Sequence, residues 1–230
     1  MSQRRPQSRR PVLAEPDDLE GGAPRGRQAL LALLVMAVLI AAVVASGLLI
    51  NKAMEVPTKA LANCATSTQI SLHQFIGPQP MCINASQKLV ATITTSQGAI
   101  VIQLHPEIAP VTVNNFVVLA AHGYYTGLQF WKSEDWVVQA GDPLNNGRGG
   151  PGYNLPDEPS AQAWQLGAVG MARVPGGAVN GSQFFIQKAA WPGSGPTAVY
   201  NRFGTVTSGM DKVQAISGSD TITSITIKVS

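Results

Sequence analysis

The chain is poor in the residues from which most enzymes build covalent or metal-assisted chemistry. It holds two cysteines and three histidines in 230 residues. His73, His105 and His122 are scattered and lack the spacing of a metal site. Cys64 and Cys82 are far from C-x-x-C spacing, which argues against a redox-active pair or a zinc site. There is no G-x-S-x-G nucleophile elbow. The stretch 147–152 fits G-x-G-x-x-G by letters, but Pro151 and Pro156 read as extended chain where a dinucleotide fingerprint needs a helix to open. The residues therefore call for no cofactor and no metal.

Charge is also scarce. Sixteen Lys/Arg against thirteen Asp/Glu leave a net charge of +3. Six arginines and four carboxylates in residues 1–27 account for most of that excess, and 88–230 carries eight of each sign. A neutral main domain removes the usual basis for nucleic-acid binding.

One long apolar run stands apart. Ala29 to Ile50 is 22 residues without a charge. As a helix it would extend about 33 Å, enough for a hydrocarbon core about 30 Å thick. Its length exceeds the apolar core of an ordinary cleaved signal peptide, so the expectation is an uncleaved signal anchor, with cleavage after Ala45 as the alternative. The arginine-rich side should stay cytoplasmic, which sends the rest of the chain outside. The expected organisation is a disordered cytoplasmic tail over 1–28, a transmembrane anchor over 29–50, an extracytoplasmic neck over 51–87 and a domain over 88–230. In an oxidising compartment Cys64 and Cys82 are expected to form one structural disulfide, two free thiols being the alternative.

Within 88–230 the periodicity is that of short strands. Leu89, Ala91 and Ile93, then Ile100, Ile102 and Leu104, alternate about Ser96-Gln97-Gly98, predicting a hairpin with one buried face. Pro110 opens a helical spacing through Val113, Phe116, Val117 and Ala120, which His122-Gly123 ends. Apolar runs recur at 128–131, 136–140, 167–172, 184–187, 202–206 and 222–229, with a second short helix at 210–216. Many strands and few helices predict an antiparallel barrel or sandwich with helical caps.

Specific motifs lie on this frame in order: Gly98–Leu104 with His105-Pro106-Glu107-Ile108-Ala109-Pro110; Phe130; Val137-Val138-Gln139-Ala140-Gly141-Asp142; Gly149-Gly150-Pro151-Gly152-Tyr153; Gly170-Met171-Ala172-Arg173; Gly181-Ser182-Gln183-Phe184-Phe185-Ile186; and Arg202-Phe203-Gly204. Together they resemble the cyclophilin-type peptidyl-prolyl isomerases, with the 149–153 loop similar to that of the bacterial members. The resemblance implies a mainly β fold, an eight-stranded antiparallel barrel capped by two helices. It also implies cis-trans isomerisation of X-Pro bonds in polypeptide substrates. The proline pocket would comprise Trp136, Val137, Phe185 and Tyr200, walled by Trp191. Gln139 and Gln183 would hold the substrate backbone, and Ala172 and Arg173 would line its path. The family's His-Arg after the conserved Phe is here Trp131-Lys132, so the resemblance puts Lys132 in the place of the arginine that donates to the proline nitrogen. Lysine keeps the charge and loses the planar fork. A proline-peptide binding or chaperone module with little catalysis is the competing expectation.

Overall fold

A computed structural model describes residues 59–230 apart from 174, 175, 194 and 197. The tail over 1–28 and the apolar run over 29–50 lie outside the described residues. Among the described residues no helix is long and apolar enough to cross a membrane.

The predicted hairpin forms as β3 (Leu89–Thr95) and β4 (Gly98–Leu104), paired from Leu89↔Leu104 to Thr95↔Gly98. Alternate residues Leu89, Ala91, Ile93, Ile100, Ile102 and Leu104 are buried, as the two-residue side-chain period requires. The other long strands are β6 (Val137–Ala140), β8 (Ala168–Arg173), β9 (Val179–Gln187), β10 (Arg202–Ser208) and β11 (Ile222–Val229). With β5 (Lys132–Ser133) they make the antiparallel path β11-β3-β4-β10-β8-β9-β6-β5, eight strands as expected, and the two-residue β7 (Asn154–Leu155) pairs with β9. The sheet curls back on itself. Gln129 bridges Thr221, Gly127 N–H donates to Ile222 O, and Phe130 N–H donates to Asp220 O.

Helix α1 (Pro110–Ala121) begins at the predicted proline and ends at His122-Gly123, where Gly123 takes φ +71. Every residue from Thr112 to Ala120 is buried, more than the one-sided spacing predicts. The cause is a second covering layer. A 3-10 helix (Lys59–Ala65) packs on α1, and Leu61, Cys64 and Phe75 join the main core. The free N-terminal amides of α1 have no local side-chain cap. Glu158 supplies one from 46 residues on, its two oxygens accepting from Val111 N (2.9 Å) and Thr112 N (2.8 Å). Helix α2 (Met210–Ala215) is a single short turn-and-a-half behind Gly209.

The neck is thus part of the compact unit. Its hairpin, β1 (Gln69–Ser71) and β2 (Gln74–Phe75), lies against the 150s loop through Phe75 N–H to Pro151 O (2.9 Å). Cys64 and Cys82 are joined by a disulfide. Both flanks of the bridge are pinned to α1: Cys82 N–H donates to Asn114 Oδ1 (2.8 Å), and His122 Nε2 lies 3.3 Å from Cys64 O. Gln79 Nε2 donates to Tyr153 OH (3.0 Å), Tyr153 OH donates to Asn115 Oδ1, and Asn115 Nδ2 donates to Gly181 O (2.7 Å). Burial pushes the Tyr153 phenol up to about 12, so this bridge stays neutral throughout the physiological range.

Two outcomes follow from these contacts. Replacing Cys64 and Cys82 by serine should lower unfolding free energy by about 3 kcal/mol in denaturant titrations, the chain-entropy value for a loop of this size. The carboxylate of Asp220 is drawn from its ordinary 3.8 to about 2, first by Ser96 Oγ–H and then by Ser217 N–H. Its stabilisation is therefore complete above about pH 4 and lost as the pH falls toward 2. Asp220→Asn should show a constant stability deficit from pH 5 to 7, shrinking between about pH 4 and 2 in thermal scans; a deficit unchanged at pH 2 would contradict it.

Candidate active site

The register of three adjacent strands decides which side chains meet. Gln139 pairs with Phe185 across β6–β9, and Gly170 pairs with Phe185 across β8–β9. Directly opposed residues share a face, and so do residues two apart. Lys132, opposite Gln139 across β5–β6, joins that face, together with Val137, Ala172 and Gln183. The intervening residues Val138, Ala140, Val169, Met171, Phe184 and Ile186 fill the barrel core. The candidate residues thus lie on the outside of the barrel, with the core directly beneath them.

On this face Val137, Ala172 and Phe185 form a separate buried cluster, packed against Trp136, Trp164, Trp191 and Tyr200. Trp191 touches all four other rings, with centroids 4.9 Å from Trp136, 5.2 Å from Tyr200, 5.6 Å from Trp164 and 5.8 Å from Phe185. Asn201, fully buried, fixes the chain just after Tyr200: its Nδ2 donates to Thr112 Oγ1 (2.8 Å) and Pro156 O (2.9 Å).

Trp164 was not among the residues that the sequence pointed to. It stacks on Phe185 at 5.3 Å with an interplanar angle of 30° and meets Tyr200 edge-on at 6.1 Å. The space it uses exists because residue 170 is glycine. A Cβ there would lie 2.5 Å from the Trp164 ring and 2.7 Å from that of Phe185. The sequence did hold a signal, a tryptophan in a polar loop outside any periodic run, but its partner glycine lies six residues further on in a strand.

The polar part of the site is a relay of amides. Gln139 Nε2 donates to Gln183 Oε1 (2.9 Å), and Gln183 Nε2 donates to Gly149 O (2.7 Å). Gln183 is 2% exposed and has both ends of its amide engaged. It holds Gln139 in place, and Gln139 Oε1 has no hydrogen-bond partner among the described residues. The turn that leads to Gly149 is itself held by a buried carboxylate. Asp142 accepts from Leu144 N, Asn146 N and Gly147 N, and a Cβ at residue 149 would lie 2.0 Å from Asp142 Oδ1.

Two cationic residues are already occupied. Arg173 was expected to line the substrate path, but its guanidinium ties three loops together. Nη2 pairs with Asp157 Oδ1 (3.0 Å), Nε donates to Gly177 O (3.0 Å) and Nη1 donates to Val199 O (2.6 Å). Lys132 Nζ lies 3.1 Å from Glu134 Oε1, and the other oxygen of Glu134 accepts from Trp136 Nε1 (2.8 Å). The ammonium and the indole N–H together hold the Glu134 carboxyl below its ordinary range, the Lys132 hydrogen bond being the larger cause. One carboxylate thus links the positive charge to the wall of the apolar pocket.

An apolar aromatic cluster beside a glutamine amide and a nearby ammonium, on the outside of an antiparallel barrel, suits an extended polypeptide bearing a proline ring. The comparisons agree with that class. Residues 90–229 match the family described as cyclophilin type peptidyl-prolyl cis-trans isomerase/CLD, and the chain belongs to this family. Bacillus subtilis peptidyl-prolyl cis-trans isomerase B is 37% identical over 129 residues, 55% of this chain and 88% of that protein. Peptidyl-prolyl cis-trans isomerase-like 1 of Rhizopus delemar is 38% identical over 135 residues, 56% of this chain and 80% of that protein. A Staphylococcus haemolyticus relative is 44% identical over 97 residues, so this chain spans about half of its length. With a fungus among the relatives, the similarity does not single out a bacterial type. Among solved structures, a Cryptosporidium parvum cyclophilin type peptidyl-prolyl cis-trans isomerase superposes with a TM-score of 0.56 at 26% identity, covering 63% of this chain and 99% of that one. A second structure of that protein, determined in the presence of the dipeptide Ala-Pro, gives 0.55.

Trp164→Ala should remove the support behind Phe185. The expected loss is about 1–2 kcal/mol of stability, from about 0.5–1.5 kcal/mol per aromatic pair, together with a several-fold weaker affinity for an Ala-Pro peptide. Gly170→Ala, which leaves every ring in the sequence, should have the same effect on affinity by displacing the indole. Isothermal titration of both variants checks this, and unchanged affinity in both would show that Trp164 is only a surface cover.

Proposed function

We propose that the chain catalyses cis-trans isomerisation of X-Pro bonds in extracytoplasmic polypeptides, with Lys132 supplying the positive donor. The observation that carries this reading is the placement of Lys132 directly opposite Gln139, on the face that bears the aromatic pocket.

Rotation about the X-Pro bond must break amide resonance, a barrier of about 18–20 kcal/mol. No bond is made, so neither nucleophile nor cofactor is needed. Turnover of about 10²–10³ per second requires the barrier to fall by roughly 5–7 kcal/mol. In this reading Val137, Ala172 and Phe185, with the rings around them, grip the proline ring. Gln139, held by Gln183, accepts from a substrate backbone N–H. An N–H directed at the proline nitrogen is worth more in the twisted state, where the lone pair is localised, than in the planar one. That difference is what lowers the barrier.

Glu134 sets the level of activity. The ammonium must leave Glu134 or share itself to reach the substrate, which favours slower turnover than a free donor would give. The weakly catalytic binding module is the limiting case of the same geometry. The location outside the membrane is part of the proposal. It is supported by the apolar run Ala29 to Ile50, the arginines before it and the Cys64–Cys82 disulfide, which belongs in an oxidising compartment.

A protease-coupled assay on an Ala-Pro peptide tests the donor. Lys132→Ala should lower kcat/KM about tenfold or more, on the scale of losing one transition-state donor, while Lys132→Arg should match or exceed the wild type. Glu134→Gln keeps an acceptor for Trp136 and removes the competing charge, so it should raise the rate by a few fold at neutral pH. Because the Glu134 carboxyl is held below its ordinary range, that advantage should vanish only under acid conditions, as the wild-type carboxyl becomes protonated. Equal rates in the wild type and all three variants would show that Lys132 is not the donor.

A further inference from the structure

The segment that precedes the family match builds a surface of its own beside the site. Leu72 and His73, at the turn of the neck hairpin, line an open groove of about 760 Å³ together with Leu144, Arg148, Gly149 and Asn180. This lining meets the catalytic face. Gly149 O accepts from both Gln183 Nε2 (2.7 Å) and Asn180 Nδ2 (3.0 Å), and Asn180 Oδ1 accepts from Gln183 N (2.9 Å). Gly149 therefore lines the groove and is also bonded to the amide relay of the candidate site.

The groove has the chemistry of a binding surface. Leu72 is 54% exposed and Leu144 62%, large apolar side chains that gain by being covered. Among the described residues no carboxylate lines the groove, and Arg148 contributes a positive charge. We propose that it is a second subsite for the client polypeptide. It takes an extended segment of the same chain whose X-Pro bond occupies the pocket, a segment carrying apolar residues and a carboxylate for Arg148. A flat bilayer cannot enter a concave surface of this kind, which favours a polypeptide over lipid although Ile70, Ile76 and Met81 on the neck are also exposed. The proposal rests on the isomerase reading and adds the neck to its substrate site.

The test compares an Ala-Pro tetrapeptide with two twelve-residue peptides, extended on either side of Ala-Pro by leucines and one glutamate. With the full chain in phosphatidylcholine vesicles, kcat/KM for one extended peptide should exceed that of the tetrapeptide about tenfold. In the combined variant Leu72→Ser, Leu144→Ser, Arg148→Glu, the advantage should fall to within twofold while tetrapeptide turnover is unchanged, which also reports an intact fold. The proposal is overturned if neither extended peptide is preferred, or if the preference survives the variant. Loss of the advantage on adding phosphatidylglycerol to the vesicles would assign the patch to anionic lipid and overturn it equally. Absence of turnover on every peptide refutes the isomerase reading instead. The groove is then read by fluorescence anisotropy, where the extended peptide must still bind about tenfold more tightly than the tetrapeptide.

Discussion

The site depends on the register of β9 against its two neighbours. Pairing Phe185 with Gln139 on one side and with Gly170 on the other sends Phe184 and Ile186 inward to the core and Gln183 and Phe185 outward to the pocket. A slip of one residue would exchange the two sets, placing an amide in the core and core side chains in water. The same apolar packing that closes the barrel therefore holds the candidate face in place. A rigid strand positions a binding group better than a loop does, and this pocket draws its buried cluster from β6, β8 and β9.

Electrostatics then tie the cation on this face to its aromatic wall. Lys132 shares the Glu134 carboxylate with Trp136, so ammonium, carboxylate and indole form one linked unit. Both partners are partly exposed, and a pair of this kind adds little to stability. It sets where the ammonium rests in this structure. The neck acts at a distance from that unit. Asn114 and His122 bind the disulfide-closed neck to α1, and the Gln79–Tyr153–Asn115 bridge carries it to Gly181, two residues before Gln183.

What was legible in the sequence is what alternation and local chemistry encode. The β3–β4 hairpin, the proline-opened helix and the end of that helix at His122-Gly123 all formed where the residues indicated. The ordered motifs led to the family and to side chains that the fold gathers into one aromatic cluster. What was not legible depends on partners distant in the chain. Trp164 needs Gly170 and Phe185 to become a pocket residue. The cap on α1 comes from Glu158, and the start of β9 at Val179 is masked by Asn180 and Gly181, which lack strand periodicity. Gln183 reads as a substrate ligand until its burial and its bond to Gly149 show both ends engaged. The all-round burial of α1 became explicable only with the neck packed over it.

The central claim is that X-Pro isomerisation takes place in the outer aromatic pocket. Magnetisation-exchange NMR on an Ala-Pro peptide, recorded with substoichiometric protein carrying ¹⁵N-labelled tryptophan, tests it directly. The account predicts cis-trans exchange cross-peaks that appear only with the protein present. It also predicts peptide-dependent shifts of the Trp136, Trp164 and Trp191 indole signals, with that of Trp131, packed instead against Gly147, left in place. Exchange without movement of those three indoles, or shifts without exchange at any protein concentration, would contradict it.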